Sequence, residues 1–327
     1  MVKQNKRIEW IDTLRAIAII LVVFGHFYSN NYLFFLLTSP IKIPLFFVIT
    51  GFLFKKKNFS DFNNSMFHNI IIPWLVLTIP IYVLKLIIHP SISIFIKDIF
   101  NLIIGQKGWY IPCLIVSEYL YYFINKIKTK EQIKIAVVLF CVIIGLLLKD
   151  YLGIISVSLV SQLFIYFGNV IKTNSKRLMP SIKTKEYRYI LIISSSLYLL
   201  LCFISYIFYN NMVLDVHHNQ YYNYPICFSL IGLGVLFFFN NISNMKQFKL
   251  MTLIGKNTLY IYILHGYISS LLSKLENYVN VDTLFMNNIL VVSLVKTIIT
   301  IAISIIITII IKKFLPVIFD YRNLKKE

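Results

Sequence analysis

Charge is scarce in this chain. Asp, Glu, Lys and Arg make up only 14% of its 327 residues, where an ordinary soluble domain carries about 25%. Acid is scarcer still: 13 Asp and Glu stand against 32 Lys and Arg, for a net charge of +19. Hydrophobic residues reach 58% and mean hydropathy is +0.76. A water-soluble fold of this size cannot hide such an apolar excess, because much of its surface must face solvent. The balance therefore excludes a cytosolic globular enzyme, a disordered tail and a secreted module. Cysteine is sparse too. Cys113, Cys141, Cys202 and Cys227 all fall in apolar segments without a C-x-x-C, so they read as buried thiols and support neither a disulfide framework nor a zinc site. There is no Walker A sequence, no G-x-G-x-x-G and no G-x-S-x-G elbow, which leaves nucleotide hydrolysis and a soluble-type serine nucleophile without support. His217 and His218 are adjacent and have no ligands at metal spacing, so no metal site and no bound cofactor are expected.

What is present is a series of long apolar runs. A spanning helix needs about 20 largely apolar residues, and ten segments qualify: 10–29, 32–54, 70–88, 109–125, 133–149, 152–171, 189–209, 225–240, 257–273 and 288–311. The expected fold is all-α, a single integral membrane bundle over 1–327 with about ten spans. The opening MVKQNKRIEW runs into the first apolar stretch with no small-residue cleavage site, and reads as a retained helix. Pro40, Lys42 and Pro44 interrupt the second span, and predict a kink or break there. Residues 92–104 form an apolar patch too short to span, fit to lie at the interface or dip inward.

The basic residues test this count. With both termini cytoplasmic, 24 of the 32 Lys and Arg fall on the inner side and four on the outer: Lys97, Lys107, Lys149 and Lys274. Arg15, Lys42, Lys85 and Lys296 lie within spans. Such asymmetry is what the positive-inside rule demands of an even helix count. Basic residues scattered through short polar breaks suit anionic lipid headgroups better than nucleic acid. The outer loop 210–224, rich in Asn, His and Tyr, suits either sugar contact or an interfacial aromatic belt.

Ionisable side chains at mid-membrane cost roughly 2.5–3.5 kcal/mol on insertion scales, so each is a functional candidate. At 100° per residue, Asp12, Arg15 and His26 project within about a 60° sector of the first helix. Arg15 then lies about 16 Å below His26 at about 1.5 Å rise per residue. Glu118 has no basic residue within four positions on its own helix, so its partner must come from another helix. His265 sits at mid-span, with Thr258 two turns below on the same face. Two histidines and a glutamate at similar depth suit a general-base site, and equally a proton relay in a transporter or flippase for a glycan or anionic substrate, although no inverted repeat is visible.

The run RIEWIDTLRAIAIILVVFGHF resembles the opening helix of the acyltransferase-3 family of membrane acyltransferases, in which ten residues separate an arginine from a histidine, as they separate Arg15 from His26. IPLFFVITGFLFKKK, WYIPCLIVSEYLYYF and NTLYIYILHGYI look like the same family, most closely its fucose acetylase-related branch. Two positions depart from the pattern. Thr50 stands where a serine is common before Gly51, and Asn69 stands where an arginine usually lies four residues before the proline opening the third span. The resemblance implies a multi-pass enzyme of the cell membrane that moves an acyl group, commonly acetyl, from cytoplasmic acyl-CoA to a hydroxyl of a saccharide or glycan. It implies His26 as general base, with Glu118 or His265 fixing its tautomer. Asp12, Arg15, Thr50, Gly51, Asn69 and Trp109 are then the substrate-binding candidates. Arg15 suits donor oxygens, while Trp109, Thr50 and backbone amides are candidates for the oxyanion.

Overall fold

The computed structural model describes residues 8–28, 31–88, 90–127, 130–208, 225–276 and 288–316, and among them every regular element is helical. The helices are α1 (Glu9–Phe27), α2 (Tyr32–Thr38), α3 (Ile43–Leu53), α4 (Phe59–Met66), α5 (Ile72–Ile88), α6 (Ile92–Ile103), α7 (Tyr110–Lys126), α8 (Glu131–Leu147), α9 (Lys149–Leu152), α10 (Ile154–Thr173), α11 (Ser175–Leu178), α12 (Lys185–Phe208), α13 (Pro225–Asn244), α14 (Lys249–Lys256), α15 (Thr258–Glu276) and α16 (Ile289–Phe314). Loop 210–224 with His217 and His218, the residue His89 and the side chain of Cys227 lie outside the described residues.

Six stretches among these residues are long and apolar enough to cross a membrane: Glu9–Phe27, Leu36–Leu53, Phe59–Ile88, Ile154–Thr173, Lys185–Ile207 and Ile289–Phe314. This is fewer than the ten expected, for visible reasons. α7 and α8 have 17 residues each, about 25 Å at about 1.5 Å per residue, against a hydrocarbon core of about 30 Å. The apolar part of α13 is counted only from Phe228. α15 is long enough, at 19 residues, but carries His265, Ser269, Ser270, Ser273 and Lys274. The second expected span is broken where its prolines predicted. A 3-10 turn at Ser39–Ile41 separates α2 from α3, and a π-helical turn at Phe67–Ile71 leads into α5.

Buried polar groups and close backbone contacts hold the bundle together. α3 and α10 form the most extensive helix pair, and they touch through glycine. A Cβ on Gly51 would lie 1.8 Å from the Ile165 carbonyl oxygen, and one on Gly168 would lie 1.9 Å from the Val48 carbonyl oxygen. Small residues permit such approach where lipid tails offer helices no hydrophobic driving force. Gly255 of α14 does the same on α1, 1.8 Å from the Asp12 carbonyl oxygen. Between α7 and α10 runs a buried polar seam. Ser117 Oγ and Ser161 Oγ lie 2.7 Å apart, Ser158 Oγ donates to the Cys113 carbonyl at 3.1 Å, and Gln162 Nε2 donates to the Ser117 carbonyl at 3.2 Å. Cys113 and Cys202 are buried thiols as expected, whereas Cys141 is half-buried.

The apolar patch after α5 forms α6, which does not span. Ile92, Ile96, Phe100 and Ile103 are exposed along one face, while Asp98 and Leu102 are buried on the other. Asp98 fastens the helix, accepting from Lys85 Nζ at 2.5 Å and from Lys107 Nζ at 2.7 Å. Those two hydrogen bonds, Lys107 first, hold its carboxyl below the usual carboxylate range against the opposing effect of burial. A folded-state value below the unfolded one of about 3.9 means the clamp stabilises fully above that pH and is lost as pH falls through the folded value. Both lysines are nearly half exposed, so solvent screening limits the effect to about 1 kcal/mol. Asp98→Asn should lower the thermal midpoint in detergent at pH 7, by a margin that narrows as the pH falls below about 3.9. A margin that stays constant with falling pH would contradict the ionic clamp.

Candidate active site

The inner face of α1 brings the sequence candidates into two groups. Towards its N-terminus, Asp12 is 1% exposed, and its Oδ1 lies 3.5 Å from Arg15 Nη1. The Glu118 side chain, half-buried on α7, has Arg15 and Lys57 as its charged neighbours. The positive charge that Glu118 lacks on its own helix thus comes from α1 and from the lysine run after α3. Phe54, Lys55, Lys56, Asn125, Asn169, Lys172 and Thr173 line an open cavity of about 480 Å³ at the C-terminal ends of α3, α7 and α10.

Towards the C-terminal end of α1, His26 meets His265 of α15. Their ring centroids are 4.9 Å apart and the planes are inclined by 41°. His265 is 7% exposed, whereas His26 is exposed. Of the two rings, His26 is therefore the more accessible, with His265 behind it. His265 Nδ1 lies 2.6 Å from the Tyr262 carbonyl oxygen. A carbonyl only accepts, so Nδ1 carries the proton and the Nε2 lone pair is left available.

Aromatic residues connect the two groups. The Tyr262 ring centroid is 5.4 Å from that of His265 and 4.9 Å from that of Tyr110. Tyr110 is buried at the start of α7, the helix that carries Glu118. Trp109, half-buried at the start of α7, meets Tyr110 edge-on at 6.1 Å. Neither tyrosine stood out in the sequence, because Tyr is one of its commonest residues, with 22 copies. Their positions beside Trp109 and three residues before His265 were the available signal.

Lys42 is the other residue that sequence reading passed over. It stood out only as an interruption of the second span, yet it is 9% exposed and its charge acts on His26. A Cβ on Gly25, the residue before His26, would lie 2.7 Å from Lys42 Nζ.

Four candidates stand elsewhere. Gly51 is spent on the α3–α10 contact, and Thr50 is half-buried beside it. Asn69 is exposed in the π-helical turn, where its Nδ2 donates to the Ser65 carbonyl at 2.7 Å and to Ser65 Oγ at 3.1 Å. Thr258 turns its hydroxyl to the Gly255 carbonyl at 2.8 Å. Among the described residues no cluster of three His, Cys, Asp or Glu could hold a metal.

Six long apolar stretches among the described residues, with Asp12 and His265 buried among the helices, mark a multi-pass membrane protein. The acyltransferase-domain family model matches residues 8–311. The chain belongs to that family, acyltransferase-3, and is a membrane acyltransferase. No curated protein and no solved structure matches it.

Proposed function

We propose that the chain is an O-acyltransferase of the cell membrane, allied to the fucose acetylase-related branch of its family. In this reading it crosses the bilayer ten times with both termini cytoplasmic. It moves an acyl group, acetyl by preference, from cytoplasmic acyl-CoA to a hydroxyl of a cell-surface or lipid-linked saccharide. One observation carries the reading: His26 and His265, from opposite ends of the chain, meet with the outer ring accessible and the inner ring held by a carbonyl.

The donor enters from the lysine-rich end. Its phosphates are attracted to the cavity bearing Lys55, Lys56 and Lys172, and Arg15 receives donor oxygens deeper in. The thioester extends along Tyr110 and Tyr262 to His26. There the acceptor hydroxyl loses its proton to His26 as its oxygen attacks the thioester carbonyl. The tetrahedral intermediate collapses, the C–S bond breaks, and His26 returns the proton to the departing thiolate. His265 acts through His26 as a positioning residue. Asp12 and Glu118 keep the Arg15 guanidinium in place, each from its own helix.

The test uses membranes with and without the chain, incubated with acyl-labelled acetyl-CoA and the native glycan fraction. Base-labile label on the glycan that depends on the chain is the expected result. Folded protein that yields none with the native acceptor present would overturn the reading.

A further inference from the structure

We infer that Lys42 is a catalytic residue whose ammonium stabilises the oxyanion formed when a hydroxyl attacks the thioester beside His26. The inference rests on the acyl-transfer reading and adds a residue that the histidine pair does not supply.

Lys42 stands between two helical turns, as the C-cap of the 3-10 turn Ser39–Ile41 and the N-cap of α3. It makes no side-chain capping bond to α3. A helix N-terminus carries partial positive charge and favours Ser, Thr, Asp or Asn there, whereas a cation is repelled. The side chain does not snorkel to a surface either, being 9% exposed with its Nζ 5.2 Å above the Phe34 ring. An ammonium held this deep in an apolar bundle is a functional candidate. This one adds its charge to the positive end of α3, next to His26.

Gly25 sets the distance. Without a side chain there, Lys42 Nζ settles against the α1 backbone one residue from His26. The charge that needs such a neighbour is the one that appears on the carbonyl oxygen in the transition state. As the acceptor oxygen bonds to the acyl carbon, the carbonyl π pair moves onto that oxygen, and the hydroxyl proton goes to His26. When the pair returns, the C–S bond breaks and the thiolate leaves. A fixed cation aimed at the oxygen stabilises the intermediate more than the ground state, and in a dry site such a donor is worth about 10²–10³ in kcat.

Two substitutions separate the charge from its position. Lys42→Met removes the ammonium while keeping an apolar stem, and kcat should fall at least about 100-fold with KM for acyl-CoA within about threefold. Lys42→Arg should recover most of that loss. Gly25→Ala leaves the charge but puts a methyl 2.7 Å from Nζ. The far end of a lysine can yield, so the thermal midpoint should hold while kcat falls about tenfold, the smaller loss expected of a displaced rather than a deleted donor. Wild-type rates in Lys42→Met, or a rise in KM with kcat unchanged, would overturn the inference while leaving the acyltransferase reading intact. Full activity in Gly25→Ala would also count against it. An inactive wild type would overturn both.

Discussion

His26→Ala should lower kcat by about 10²–10⁴-fold, the range a positioned general base contributes, while the protein accumulates and purifies like wild type. The second half of that statement follows from exposure. The His26 ring is accessible, so its removal opens no cavity in the core, and the surrounding α1 contacts through Ile19, Val22 and Val23 remain. His265→Gln should cost less, about tenfold, because its ring acts through His26. The double variant then carries the sharper test. If His265 serves only to place His26, removing both should be no worse than removing His26 alone, since residues that act as a unit are non-additive. Losses that multiply would mean that each histidine meets substrate independently. The measurement is base-labile label transferred per folded protein at saturating donor, with folding checked by size exclusion in detergent.

That pairing marks how far the sequence could be read. The polar stripe on α1 is legible because helical periodicity needs nothing outside the helix. Asp12, Arg15 and His26 share a face, and the Asp12–Arg15 ion pair is its direct consequence. Family resemblance indicated the acyltransferase class before any geometry. What could not be read is which helix supplies each partner. Glu118 needed a cation from elsewhere, but only tertiary packing brings Arg15 and Lys57 to it. The tautomer-fixing role was open between Glu118 and His265, and it is His265 that lies against His26. Lys42 was hidden by its own context, since a lysine between two prolines reads as a break in a span. Gly51 was hidden in the opposite way. As part of a family motif it read as substrate-binding, while its surroundings are the backbone of α10.

Gly51→Ala and Gly168→Ala should each remove most of the folded protein, although alanine favours a helix over glycine by about 1 kcal/mol. The decisive quantity is what the new methyl meets. At Gly51 it would lie 1.8 Å from the Ile165 carbonyl oxygen and 2.6 Å from its carbon; at Gly168 it would lie 1.9 Å from the Val48 carbonyl oxygen and 2.8 Å from Phe52 N. These are backbone atoms, so no rotamer change relieves the clash and the helices themselves must part. Ordinary overpacking costs about 1–3 kcal/mol. Parting two helices also strips contact from Val48 and Ile165, both fully buried where the helices meet, which places these variants at or beyond the upper end. The double variant should be scarcely worse than either single one, because one separation accommodates both methyls. Gly266→Ala is the control, since nothing lies within 4 Å of its methyl, and it should keep or slightly raise the thermal midpoint. Any folded Gly51→Ala that survives should also lose turnover out of proportion to stability. α3 carries Lys42 at its other end, and a shifted α3 takes the ammonium away from Gly25 and His26. Recovery of monodisperse protein in detergent, its thermal midpoint and label transfer per folded molecule decide the matter together. A Gly51→Ala protein as stable and as active as Gly266→Ala would refute the contact that positions this half of the site.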